Sequence, residues 1–147
     1  MESAHHQEHQ ELMASVEKIE TQLSLILSSN EEKKILDGLE ILLKLMHNVL
    51  KDPRAEKFRT IKKTIPKIAN TVFSLKGGIE ELVLGIGYVA TDAEHYVFVG
   101  DYFSLLKRSI AATEKALEPI RYKYMTEEEK KKYVILQEQK RLMREEQ

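Results

Sequence analysis

The sequence predicts an α+β fold on three observations. Long stretches carry apolar residues at helical spacing, one short stretch alternates β-branched and aromatic residues around a polar turn, and prolines and glycines punctuate the joins. With 147 residues, 42% of them hydrophobic, the chain can bury a core without disulfides, and it has no cysteine to form them. Cysteine-free composition suits a reducing compartment. A net charge of −1 gives no whole-chain field to draw in nucleic acid or a membrane. No apolar run approaches the roughly 18 residues of a membrane span, and the polar, His-rich amino terminus is unlike a signal peptide. The expected location is the cytosol, with the nucleus as second choice.

Residues 1–10, MESAHHQEHQ, lack a period and are expected to fray. Leu12, Val16, Ile19, Leu23 and Ile26 then form one helical stripe. Ser29-Asn30 ends that helix, and Ser29 with Glu32 reads as a capping box for the next. The second helix runs to about Lys51 with a wide stripe from Ile35 to Leu50, and Pro53 interrupts the chain. Residues 54–63 read as a short basic helix, and TVFSL at 71–75 as a short strand before the KGG punctuation. Ile79, Leu82, Val83 and Ile86 make a helical face that Gly85 and Gly87 end.

GYVAT-DAE-HYVFV is the clearest hairpin signal. The next helix starts with Asp101 as candidate N-cap, faces Phe103, Leu106, Ile110 and Leu117 inward around the polar Thr113, and stops at Pro119. A last helix is announced by a Thr126–Glu129 capping box, with acidic residues leading and basic ones following, as the helix dipole prefers. Its sparse apolar content predicts a charged stalk that packs only in part. The chain therefore divides into an amino-terminal flank and amphipathic helix (1–30), a main domain (31–119) and a charged carboxy-terminal helix (120–147).

Catalytic signals are weak. HHQEH at 5–9 satisfies H-x-x-E-H formally, but a terminus without a core cannot orient ligands or supply the groups behind them. His47 and His95 lie far from any nucleophile in a recognisable turn, and the glycines at 77, 78, 85 and 87 make neither a dinucleotide fingerprint nor a P-loop. The expectation is no enzyme, no metal and no cofactor.

The segment around NVLKDPRAEKFRTIKK stands apart. Lys51, Arg54, Lys57, Arg59, Lys62, Lys63 and Lys67 face only Asp52 and Glu56, seven cations against two carboxylates. Nucleic-acid readers add several aromatics to such charge, and here only Phe58 is at hand. On a helix, Phe58 and Lys62 at i,i+4 would share one face, and a reversal at Asp52-Pro53 would bring Asn48 alongside. That set suits a short peptide carrying an acid and an aromatic.

These residues resemble the PUB (PUG) domain found in peptide:N-glycanase, in UBX-type adaptors and in the linear-ubiquitin ligase. The family pattern is a helix ending in Asn-x-Leu, then x-Pro-x-x-x-Lys-aromatic-Arg-x-Ile-Arg, a Gly-containing turn, an apolar helix ending Gly-aromatic, and a hairpin. Here it reads HNVLKDPRAEKFRTIKK, LKGGIEELVLGIGY and EHYVFVGDYFSLLKRSI, over about residues 31–118.

The resemblance implies an α+β module with a three-stranded antiparallel sheet and a role in the ubiquitin pathway. It also implies capture of the acidic, aromatic carboxy-terminal tail of the hexameric AAA ATPase valosin-containing protein. By the same resemblance Asn48 hydrogen-bonds the ligand, Lys57 edges the pocket, Phe58 packs on the ligand ring and Lys62 pairs with its carboxylate, while Leu75 and Gly77 lie along the far wall. The chain departs from the pattern at Phe58, which lacks the frequent Tyr hydroxyl, at Lys62, a point charge where Arg offers a fork, and at Ile65, which aligns with a second pocket Asn. The rival expectation is a helical assembly protein that oligomerises through its first and last helices.

Overall fold

The computed structural model of the protein describes residues 2–100 and 103–145, with side chains from residue 6 onward. In chain order the elements are α1 (Glu2–Ser29), α2 (Glu32–Lys51), α3 (Glu56–Arg59), β1 (Thr60–Lys62), α4 (Pro66–Ala69), α5 (Ile79–Ile86), β2 (Tyr88–Ala90), β3 (His95–Phe98), α6 (Ser104–Lys123) and α7 (Glu127–Glu145). The fold is α+β, with a three-stranded antiparallel sheet in the order β1-β3-β2.

One core unites α1, α2, α5 and α6 with the sheet. Ile19, Leu23 and Ile26 of α1, Leu39, Leu42 and Met46 of α2, Leu82 and Ile86 of α5, and Leu106 and Leu117 of α6 meet in a single buried cluster. Each such side chain contributes about 1.5–3 kcal/mol when fully buried. Thr113 is the one polar residue expected on the inner face of α6; it is fully buried, and its hydroxyl donates to the Ser109 carbonyl at 2.8 Å. The sheet joins the core through Ile61, Tyr88, Tyr96 and Phe98 on its inner face. Its outer face carries Thr60, Lys62, His95, Val97 and Val89, because side chains alternate along each strand and the pairs are Thr60↔Val97, Lys62↔His95 and Val89↔Val97. Phe103 is half-buried and stacks on Phe98, with ring centroids 6.1 Å apart.

Asn30 clasps the joint between α1 and α2 to the loop before α5. Its amide donates to the Lys76 carbonyl at 2.8 Å and to Ile26 at 2.9 Å, and its side-chain oxygen accepts the Lys76 N–H at 2.9 Å.

Several expectations fail for local physical reasons. The stretch 54–63 is not one helix: after α3 the β-branched Thr60 and Ile61 pair with β3, so the expected i,i+4 neighbours Phe58 and Lys62 stand on different elements. The expected strand at 71–75 is a coil of turns. Thr71 and Ser74 donate their hydroxyls back to the Lys67 and Asn70 carbonyls, and Leu75 drops into a notch at Gly38. A Cβ on Gly38 would lie 2.7 Å from Leu75 Cδ1 and from the Thr71 carbonyl, which accounts for a glycine inside α2.

The helix over residues 104–123 passes through Pro119, because Ile120 is buried and Arg121 is held by Glu40 and Glu114 beyond it. The Ser29–Glu32 box does not form, since α2 starts after Glu31 without a side-chain cap. Helix α1 begins at Glu2, so the expected frayed stretch is helical within the described residues. Asp101 lies outside the described residues.

The last helix matches its expectation. Thr126 Oγ1 accepts the Glu129 N–H at 3.1 Å and Glu129 accepts the Thr126 N–H at 3.3 Å. No residue of α7 is buried; Tyr133 packs near Tyr122 and donates to Glu118, and the Lys130 ammonium lies 5.3 Å from the centre of the Tyr122 ring. No helix among the described residues is long and apolar enough to cross a membrane.

Candidate functional site

The basic segment has an inner and an outer side. On the inner side, Arg59 Nε donates to the Pro53 carbonyl at 2.7 Å, Nη1 to Phe98 at 3.1 Å and Nη2 to Gly100 at 3.3 Å. Its guanidinium also lies 5.6 Å from the centre of the Phe98 ring. One planar fork thus fixes the reversal after α2 to the end of β3, a job suited to Arg and unsuited to Lys. Lys63 is spent inside as well. Its ammonium lies 2.6 Å from Glu80, and within 5.6 Å and 5.2 Å of the stacked rings of Phe73 and Tyr96. Tyr96 donates to the same Glu80 oxygen at 3.0 Å. Lys63 and Tyr96 together hold the Glu80 carboxyl below its usual range, and Glu80 raises Lys63 in turn.

On the outer side Lys51, Arg54, Lys57, Lys62 and Lys67 are all exposed. Phe58 is half-buried on α3, with the Lys57 ammonium 5.1 Å from its ring centre. Asn48 sits in the last turn of α2, half-buried, where its carbonyl accepts the Asp52 N–H at 3.2 Å and starts the reversal. Helix α3 then packs back on α2. Lys62 projects from the outer face of β1, opposite His95. Ile65 follows one turn later, its N–H on the Lys62 carbonyl at 3.4 Å and its side chain 43% exposed.

Two expected wall residues are elsewhere. Leu75 is only 4% exposed and fills the Gly38 notch, ten residues and about 15 Å along α2 from Asn48. Gly77, at φ 95°, approaches α1: a Cβ there would sit 2.8 Å from the Leu25 carbonyl and 2.9 Å from the Ser29 hydroxyl. Both serve packing.

Chain reversal thus places Asn48, Lys57 and Phe58 on adjoining helices, and β1 carries Lys62 and Ile65 onward from α3. The arrangement can do electrostatic and apolar recognition at once: the Lys57 ammonium lies over a partly desolvated ring, and further exposed cations belong to the same segment. Sequence reasoning missed the structural use of Arg59 and Lys63, and it missed His95 as a surface neighbour of Lys62. The β-branched Thr60-Ile61 was the available signal for the last. Among the described residues no three His, Asp or Glu side chains are grouped to hold a metal ion; His5 of the HHQEH stretch has no described side chain.

No curated protein matches the chain. A family model does: the PUB domain, over residues 32–142.

Proposed function

We propose a function from one premise: this chain belongs to the PUB-domain family, a family of protein-interaction modules. The proposal is that it is a non-catalytic receptor for a short acidic, aromatic carboxy-terminal peptide, the tail of the AAA ATPase valosin-containing protein being the first candidate. The observation that carries this reading is the outer side of the basic segment, where the half-buried Phe58 lies under the Lys57 ammonium in a stretch with five exposed cations. Phe58 supplies the apolar anchor, Lys57 and Lys62 attract the acidic residues, and Asn48 offers amide hydrogen bonds to the peptide backbone. An affinity in the micromolar range follows, because one ring and a few polar contacts must offset the ordering of a flexible peptide. The setting we propose is the cytosol, with the nucleus as second choice.

Calorimetry with the ATPase tail peptide and a scrambled control tests it. Phe58→Ala is expected to weaken binding at least tenfold while the melting temperature stays within a few degrees of wild type. Undiminished binding by that variant, or equal binding of the scrambled peptide, would remove the proposal. Salt is expected to weaken the interaction, since the cations are solvent-exposed.

A second reading has its own observation. Helix α7 leaves Val134, Ile135, Leu142 and Met143 exposed, 46–65% each, with Ile135 and Leu142 one heptad apart. If α7 mediates assembly, light scattering will give a mass above one chain that Ile135→Lys returns to the monomer.

A further inference from the structure

We propose that His95 is a recognition residue of this peptide site, completing with Lys62 a two-point clamp for one ligand carboxylate; the inference rests on the peptide-binding reading above. The register places His95 directly opposite Lys62 on the outer face of the sheet. Residues so paired have their Cβ atoms about 4.5–5.5 Å apart, close enough for one carboxylate to span both heads. The Lys63 N–H on the Glu94 carbonyl, at 2.7 Å, pins this end of the pairing.

The ring is also aimed. Asp92 Oδ1 accepts the N–H groups of Glu94 at 2.7 Å and His95 at 2.9 Å, and the imidazole Nδ1 lies 2.9 Å and 3.0 Å from the two carboxylate oxygens. An ionised carboxylate only accepts, so Nδ1 carries the proton and Nε2 is the nitrogen left for a ligand. His95 has a side chain one-third exposed, whereas Lys62 is exposed. Its contact is therefore the more desolvated of the two, and the stronger for it. Beside Lys62 the chain offers the exposed Thr64 and the apolar Ile65, and the register sets His95 directly across from it.

Nε2 can donate to a carboxylate only in the imidazolium. The charged and titratable groups around it are Lys62 and Lys63 on β1 and just after it, Asp92 and Glu94 in the hairpin turn, and Tyr96 next along β3; the Lys63 ammonium and the Tyr96 hydroxyl are both engaged by Glu80. Asp92 offsets the repulsion between the ring and Lys62, and a bound carboxylate would do so further. Peptide affinity should rise as histidine protonates, while ligand carboxylates stay ionised.

The test is calorimetry of the full chain with an N-acetylated, histidine-free ATPase tail peptide at about pH 6 and about pH 8 and constant ionic strength, on wild type, His95→Gln and Phe58→Ala. The expected result is binding about fivefold tighter at the lower pH for wild type, and a flat profile for His95→Gln that stays within about twofold of wild type at the higher pH. Wild-type binding without pH dependence, or dependence retained in His95→Gln, overturns the role of His95 and leaves the peptide reading standing. Absence of wild-type binding at both pH values, or unchanged binding by Phe58→Ala, overturns the reading itself.

Discussion

The inner and outer sides of the basic segment use the same residue types for opposite ends. Arg59 and Lys63 are surrounded by carbonyls, rings and one carboxylate, and they hold α3, β1 and β3 in place. Lys57 and Lys62, a residue or two away, are exposed. A charge surplus is therefore not a measure of binding potential. Only cations without an internal task are available to a partner, and burial of their neighbours decides which those are.

Breaking the inner side should cost the most. Arg59→Ala orphans three carbonyls and is expected to destabilise the protein by about 3 kcal/mol in urea unfolding, with Arg59→Lys recovering little because one ammonium cannot serve all three. A loss below about 1 kcal/mol would mean that the fork is ornamental. Next comes the inner face of the sheet. The Tyr88 hydroxyl is buried without a hydrogen-bond partner among the described residues, and burial pushes its pKa strongly up. Tyr88→Phe should therefore stabilise by about 1 kcal/mol; a destabilised variant would show that the hydroxyl has a partner.

The Glu80 latch is smaller, since half of that side chain is in solvent. Glu80 is held below its normal range, so its contribution is present above the unfolded carboxyl pKa and fades as pH falls through the folded one. Lys63, held above its normal value, contributes below the unfolded lysine pKa and fades as pH rises through the folded one. Wild type should exceed Glu80→Gln by about 0.5 kcal/mol between roughly pH 5 and 10, with the two curves converging in acid. A constant gap down to pH about 2 would assign the difference to packing. Smallest of all, Lys57→Ala and Lys62→Ala should leave stability within about 0.5 kcal/mol while flattening the salt dependence of peptide binding.

Legibility followed the range of the forces involved. The stripes of α2 and α5 and the hairpin of β2 and β3 were readable because burial of one face writes a period into the sequence. Strand β1 was not readable, since three residues after a helical turn take their conformation from pairing with a strand 35 residues later. The 71–75 stretch misled because its Val and Phe favour strands while Thr71 and Ser74 coil the backbone locally. At the site, the charge of residues 51–67 and Phe58 as the aromatic within it could be seen in the chain. The diversion of Arg59 and Lys63 to internal work, and of Leu75 and Gly77 to packing, depends on partners far away in sequence.

The clasp at Asn30 gives the amino-terminal helix a mechanical meaning. A pull on α1 would be resisted at its far end by the paired amide bonds to Lys76, and along its length by Ile19, Leu23 and Ile26 locked among the other helices. The stretch that matches the family begins at residue 32, yet the load path starts well before it. A fragment trimmed to that boundary would lose one wall of its interior and shed the tether that anchors the loop ahead of α5.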